Sequence, residues 1–301
     1  MPEKNVVVMK LGGTSVATIE RIKKAAEYIE SREKANERPF IIISARGDRT
    51  DELIQLAKTL SNSPDPRELD QLMATGEGES AALLGIALKA RGINAKSMNA
   101  YQLGFEACGD YGNAKIKQVA DPDILRKALA ESVIVFTGFQ GVINGTSDIA
   151  TLGRGGSDAS AIALAATLGC ECRIFTDVDG IYTTDPRVVK QSKRIATIGY
   201  DQLEYMADSG AAVMMGRSIN IARKYGIQVR VMLSPSFGES KGGTLIASNC
   251  DLNDIEAEAE FPYTLAIKKM GCLHFPFVPN LPGQAKSLFF SLSDCLVDEA
   301  V

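Results

Sequence analysis

Asn5-Val6-Val7-Val8-Met9-Lys10-Leu11-Gly12-Gly13-Thr14-Ser15-Val16 is the stretch on which the fold turns. The apolar, β-branched run over Asn5–Lys10 reads as a buried strand. A helix is expected over Thr18–Arg32, where Ile19, Ile22, Ala26 and Ile29 recur at helical spacing. Between them stand two glycines. Glycines just past a strand let the backbone approach an anion closely, and a helix start offers free N–H groups and a positive dipole end. Lys10 at the strand tip can meet a phosphate as a point charge. A tight structural turn accounts for the same residues about equally well. The chain contains no Gly-x4-Gly-Lys-Ser/Thr phosphate loop and no dinucleotide fingerprint.

Working outward, the alternation repeats. Strands are expected at Pro39–Ser44, Ile93–Met98, Val133–Thr137, Cys172–Thr176 and Ile227–Leu233. Helices are expected around Leu53, Leu56, Ala57 and Leu60, over Pro66–Ala90 with an interruption near Gly76, and at Pro122–Ala130, Ser157–Leu168, Asp201–Ala207 and Ala211–Tyr225. Strands alternating with helices of this length imply βαβ crossovers: an α/β fold with a mostly parallel sheet sandwiched by helices. The composition shifts after Thr244–Ala247. Residues 1–248 are therefore read as the main domain, 249–260 as a polar, acidic linker and 261–301 as a short, incomplete α+β module. A module of that size is near the lower limit for an independent core, so it should dock on the main domain or be completed by another chain.

Composition narrows the function classes. Of 301 residues, 33 are Lys or Arg and 37 are Asp or Glu, a formal net charge of −4. A nucleic-acid binder would normally show a basic surplus, so no nucleic-acid partner is expected. Apolar runs such as Phe40–Ile43 fall far short of the ~18 residues a spanning helix needs, so no membrane partner is expected either. The opening Met-Pro-Glu-Lys leads straight into a strand and is not read as a secretory signal. Six cysteines (Cys108, Cys170, Cys172, Cys250, Cys272 and Cys295) are too sparse for a disulfide framework, and a reduced, cytoplasmic protein is expected. Cys170-x-Cys172 has the wrong spacing for a zinc knuckle, and His274 is the single histidine, so no resident metal site is read.

Two further motifs carry chemistry. Thr151-Leu152-Gly153-Arg154-Gly155-Gly156-Ser157-Asp158 sets three glycines, an arginine and Ser-Asp at a helix start, a backbone donor nest with a carboxylate beside it. Helix capping explains Ser157 and Asp158 but not Arg154 or the glycines. Phe175-Thr176-Asp177-Val178-Asp179-Gly180-Ile181-Tyr182-Thr183-Thr184-Asp185-Pro186-Arg187 runs a strand into an aspartate-rich loop. A hairpin turning at Asp179-Gly180 and a site for magnesium or ribose both remain open. Smaller signals are the Ser44–Thr50 loop after the second strand and Glu77, for which an exposed, solvated role is the ordinary alternative.

Together these segments resemble the aspartate kinases (aspartokinases) of the amino-acid-kinase superfamily. The matching pieces are Lys10–Val16, Ser44–Leu53, Gly76-Glu77, Gly138-Phe139-Gln140-Gly141, Thr151–Asp158 and Thr176–Arg187, in order over roughly Val6 to Ala247. The resemblance implies phosphoryl transfer from ATP, with Mg2+, to the side-chain carboxylate of L-aspartate, the first step towards lysine, threonine and methionine. By similarity, Lys10 and Asp158 would be catalytic. Lys10, Gly12, Gly13, Ser15, Thr176, Asp177, Tyr182 and Arg187 would bind the nucleotide. Ser44, Thr50, Glu77, Phe139, Arg154 and Ser157 would surround aspartate, with Arg154 on its α-carboxylate and Glu77 facing its α-ammonium. A carboxylate is already a nucleophile, so positioning and charge neutralisation would suffice.

The chain departs from the family pattern in three places. Ala212 stands in Gly210-Ala211-Ala212-Val213 where the family has a lysine, and Arg217 on the same expected helix is the candidate replacement charge. Arg46 and Arg49 replace the usual Ala-Met-Gly surroundings after Ser44, which opens the alternative of another carboxylate acceptor. The tail resembles the start of an ACT module, a small ferredoxin-like regulatory unit, without its remaining strands. Its unpaired edge leads to the expectation of a homo-oligomer, most simply a dimer. Ala212 and the tail also motivate a second alternative, a catalytically weak or silent homologue that binds nucleotide or aspartate as a partner subunit.

Overall fold

A computed structural model describes residues 4–186, 189–208, 214–235 and 242–248. The chain opens with β1 (Asn5–Leu11), a 3-10 turn (Gly13–Val16), α1 (Ile19–Lys34), β2 (Glu37–Ile43), α2 (Arg49–Leu60) and α3 (Pro66–Ala90). It continues with β3 (Ala95–Met98), α4 (Ala100–Leu103), β4 (Glu106–Cys108), β5 (Lys115–Gln118), α5 (Pro122–Glu131), β6 (Val133–Thr137), β7 (Gln140–Ile143) and β8 (Ile149–Thr151). The last part holds α6 (Gly156–Leu168), β9 (Cys172–Thr176), β10 (Thr197–Gly199), α7 (Tyr200–Asp208), α8 (Gly216–Tyr225), β11 (Val229–Leu233) and β12 (Thr244–Ala247).

Eight strands form one sheet in the order β10-β12-β11-β9-β1-β2-β6-β3. Apart from the antiparallel β11–β12 pair, its neighbours run parallel. The alternation along β1 shows how the layers are built. Val7, Met9 and Leu11 point into one core with Ile22, Ala26 and Ile29 of α1 and Leu84 and Leu88 of α3. Val8 points the other way, into a core with Ile162 and Leu164 of α6, Leu125 of α5 and Ile219 of α8. Lys10 shares the face of Val8 by the period of two, which turns it towards α6. Helix α6 has no polar stripe, because ten of its residues are buried between the sheet and α8.

The parallel sheet expected from the sequence is present. A second sheet of four strands, β5-β4-β7-β8, was not expected, since its strands are three or four residues long and too short to show alternation. Helix α3 runs unbroken through Gly76, contrary to the expected interruption. A Cβ there would sit 2.9 Å from the Ala45 Cβ, so the glycine serves close packing against the loop after β2. The helix expected around Leu53, Leu56, Ala57 and Leu60 is present as α2, which buries Leu53 and Ala57 and leaves Leu56 and Leu60 54% and 90% exposed. Helix α8 starts at Gly216, later than expected from Ala211. The linker and the ACT-like module, with the self-association read from it, lie outside the described residues, as do Ala212 and Arg187.

Candidate active site

The parallel strands β9, β1, β2 and β6 lie side by side, so their C-terminal ends share one edge of the sheet. The chain leaves β1 towards β2 on one side and later returns as β9 on the other, the arrangement that opens a crevice. Lys10, near the end of β1, meets Asp158 in the first turn of α6, Nζ to Oδ1 at 2.8 Å. Both side chains are mostly buried, at 14% and 16% exposure, and the α6 N-terminus adds its positive end beside the carboxylate.

Next to Lys10 the backbone folds into the 3-10 turn. Gly12 N–H donates to the Phe175 carbonyl at 3.4 Å, which ties this turn to β9 and Thr176. A Cβ on Gly13 would lie 2.6 Å from the Ala45 carbonyl oxygen, and Gly47 N–H donates to the Gly13 carbonyl at 3.0 Å. The loops after β1 and β2 therefore touch through backbone, which no residue with a side chain at position 13 permits. Ser15 has no exposed surface, and its hydroxyl has no hydrogen-bond partner among the described residues. A buried unpaired hydroxyl is costly. Beside glycine backbone and a lysine, it fits an incoming oxyanion.

The loop after β2 supplies two links. Ser44 Oγ donates to Ser157 Oγ at 3.0 Å, joining β2 to the start of α6. Ala45 N–H donates to Glu77 Oε1 at 2.9 Å, joining it to α3. Glu77 is 2% exposed and its second oxygen has no partner among the described residues. Burial pushes its carboxyl up to about 7, against the stabilising N–H of Ala45. The solvated-glutamate alternative is thereby corrected.

Phe139 has φ +70°, a left-handed conformation rare for a bulky residue. Its carbonyl accepts from Leu152 N–H at 2.7 Å, and a Cβ on Gly156 would reach within 3.1 Å of its ring. Gly153 and Gly155 are left-handed as well, which turns the backbone sharply at both sides of Arg154. Arg154 is exposed and makes no hydrogen bond or ion pair among the described residues.

The other sequence-derived residues are less tightly gathered. Thr50 lies in the first turn of α2. Thr176 Oγ1 donates to Asp177 Oδ1 at 3.1 Å, and Tyr182 OH to Asp179 Oδ1 at 2.7 Å. The hairpin turning at Asp179-Gly180 is not formed. Pairing there begins after Gly180, where Thr183 N–H donates to Lys193 O and Ile195 N–H to Ile181 O. Arg217, the candidate replacement charge, donates its guanidinium to the carbonyls of Ala114 (3.2 Å) and Leu152 (2.5 Å). Arg46 and Arg49 both bond Glu79, at 2.7 and 3.1 Å, a residue the sequence did not single out, and Arg49 also bonds Glu52 at 3.0 Å.

The fold and this crevice define a class. The chain belongs to the amino acid kinase family, whose sequence pattern matches residues 5–232. Within it, similar proteins include aspartokinases. That of Mycobacterium tuberculosis is 39% identical over 296 residues, covering 97% of this chain and 69% of the relative. That of Thermus thermophilus is 40% identical over 291 residues, covering 96% and 70%. Among solved structures, the aspartate kinase of Synechocystis superposes with a TM-score of 0.71 at 38% identity, over 81% of this chain and 40% of that one. Aspartokinase III of E. coli, in complex with aspartate and ADP, gives 0.73 at 28% identity over 82% and 65%. UMP kinase from Bacillus anthracis, at 19% identity and a TM-score of 0.58, shares the fold.

Proposed function

We propose that this chain transfers the terminal phosphoryl group of ATP to the side-chain carboxylate of L-aspartate, giving ADP and 4-phospho-L-aspartate. One observation supports the reading. The Lys10–Asp158 pair joins the end of β1, next to the Gly12–Ser15 turn, to the start of α6, where Ser157 accepts from Ser44 beside the Ala45–Glu77 bond. The nucleotide side would be the glycine turn, the Ser15 hydroxyl, Lys10, and Thr176, Asp177 and Tyr182 beyond β9, with Arg187 assigned by resemblance. The aspartate side would be Ser44, Thr50, Glu77, Phe139, Arg154 and Ser157. The aspartate and ADP complex of the E. coli relative supports the same pair of ligands.

In the transfer, a carboxylate oxygen of aspartate forms the new bond to phosphorus as the bond to the ADP oxygen breaks. No proton has to move, which suits a site whose described residues include no histidine. Lys10 would hold charge at the transferring group, and Asp158, its negative charge favoured by the α6 N-terminus, holds Lys10. Mg2+ would accompany ATP and offset the charge of its phosphates. Among the described residues no three acidic, histidine or cysteine side chains gather as a metal site, so most of its ligands would come from the phosphates and water. The reading carries with it the expectations of a cytoplasmic enzyme serving lysine, threonine and methionine synthesis and of a homodimer.

The test is ADP release by the full chain with MgATP, with and without L-aspartate. Aspartate-dependent turnover is the expected result. Turnover with other carboxylates but not aspartate, or no dependence on any acceptor, overturns the reading.

A further inference from the structure

Asp70 lies on α3, seven residues before Glu77, and is 1% exposed. Its carboxylate accepts three hydrogen bonds. Thr151 N–H donates to Oδ2 at 2.7 Å, Gly112 N–H donates to Oδ2 at 2.8 Å, and Thr151 Oγ1 donates to Oδ1 at 2.8 Å. Thr151 is the last residue of β8 and the first of the loop that carries Arg154 and Asp158. Gly112 belongs to the turn on which that loop rests, because a Cβ on Gly153 would lie 3.1 Å from the Gly112 carbonyl oxygen. Seven residues are two helical turns, so Asp70 and Glu77 occupy one face of α3.

We propose that Asp70 is a positioning residue of the active site: it clamps the Thr151–Asp158 loop to the same helix that presents Glu77. The inference rests on the functional reading above and deepens it. A clamp is needed because the two halves of the proposed aspartate pocket come from different elements. Glu77 comes from α3, while Arg154 and Ser157 come from the loop after β8. On that reading they hold two groups of one small molecule, its α-carboxylate and its α-ammonium, so their separation must be fixed. The Gly12–Ser15 turn is held by contacts with Ala45, Gly47 and Phe175, none of which bonds Asp70.

The hydrogen-bond pattern specifies the variants. Asparagine at position 70 can keep its oxygen on the two N–H groups and turn its NH2 to the Thr151 hydroxyl, which then accepts. Alanine leaves both backbone N–H groups buried without an acceptor. Asp70→Ala should therefore lower kcat/KM for aspartate by on the order of 100-fold, the effect of a misplacement of about 1 Å. Its KM for ATP should stay within about twofold, and Asp70→Asn should recover most of the activity. Thr151→Val removes one of the three bonds, and should show a smaller loss in the same direction. It also covers the case in which Asp70→Ala does not fold.

Amide hydrogen exchange at Thr151 and Gly112 gives a readout without turnover: slow in the native chain and in Asp70→Asn, fast in Asp70→Ala. Thr151→Val should leave that protection nearly unchanged. If the native chain lacks aspartate-dependent turnover, the functional reading fails and exchange still judges the clamp. Equal losses towards aspartate and ATP, unchanged aspartate kinetics in Asp70→Ala or Thr151→Val, or Asp70→Asn as poor as Asp70→Ala, would overturn the positioning role.

Discussion

Replacing Glu77 by glutamine tests the chemistry of the crevice most sharply. Glu77 is held at about 7, up from an ordinary value of 4.5, mainly by burial. On the proposed reading its ionised form attracts the aspartate ammonium. In the free enzyme about one molecule in eleven is ionised at pH 6 and about ten in eleven at pH 8, so kcat/KM for aspartate should rise about tenfold across that interval. The same residue sets a stability profile of opposite sign. A carboxyl raised in the folded state binds its proton more tightly there than in the unfolded chain. Its favourable contribution is complete below pH 4.5 and is lost as pH rises through about 7. Between those values the difference amounts to ~3 kcal/mol, at about 1.4 kcal/mol per pKa unit.

Glu77→Gln keeps an oxygen for Ala45 N–H and removes the ionisation. It should melt several degrees higher than the native chain at pH 8, with the gain shrinking towards pH 5. Aspartate turnover should fall by at least about 100-fold at pH 8, with the pH 6 to 8 dependence flattened in what remains. Thermal melts at pH 5 and 8, with initial rates over pH 6–8, give both readouts. A stability difference that is the same at both pH values, or a native kcat/KM that is flat from pH 6 to 8, refutes the reasoning.

Four more outcomes follow from the geometry. Lys10→Met should lower kcat by about 10²–10³ in the ADP-release assay, as expected for loss of one preorganised charge at the transferring group, and a loss under about tenfold would remove Lys10 from the chemistry. Gly13→Ala, with its Cβ directed 2.6 Å from the Ala45 carbonyl, should weaken ATP binding by about tenfold or more in titration calorimetry. Gly78→Ala, whose Cβ would meet nothing within 4 Å on exposed helix, should leave binding unchanged and raise stability by up to ~1 kcal/mol. Arg46→Ala and Arg49→Ala should each change kcat/KM for aspartate by less than about threefold, since both side chains are already paired with Glu79. A much larger loss would place them on the substrate.

The layers of this fold were legible because they rest on periodicity. Val7, Met9 and Leu11 alternate with Val8 and Lys10, and that alternation assigns the two faces of the sheet before any contact is known. The glycine loops were legible because Gly153 and Gly155 require left-handed backbone. What escaped the sequence were pairings over long separation. Nothing local says that Glu79 will gather Arg46 and Arg49, or that Arg217 will turn to two carbonyls rather than to a phosphate. Asp70 is a middle case. Its spacing from Glu77 is visible, but its partners Gly112 and Thr151 belong to the small sheet region, whose strands are too short to announce themselves.

The distribution of positive charge decides how such a site can recognise an anionic acceptor. Arg46 and Arg49 are taken by Glu79, Arg217 by backbone carbonyls, and Lys10 by Asp158. Arg154 stands between two left-handed glycines with no partner among the described residues. An exposed guanidinium of this kind is matched to a planar carboxylate, which it can grip with two parallel hydrogen bonds. The lysine, by contrast, is a point charge already held in place, suited to a group that changes its geometry during reaction. On the proposed reading recognition and transfer thus fall to different cations, and the stretch from Thr151 to Asp158 would hold both the recognising arginine and the carboxylate that pairs with the lysine.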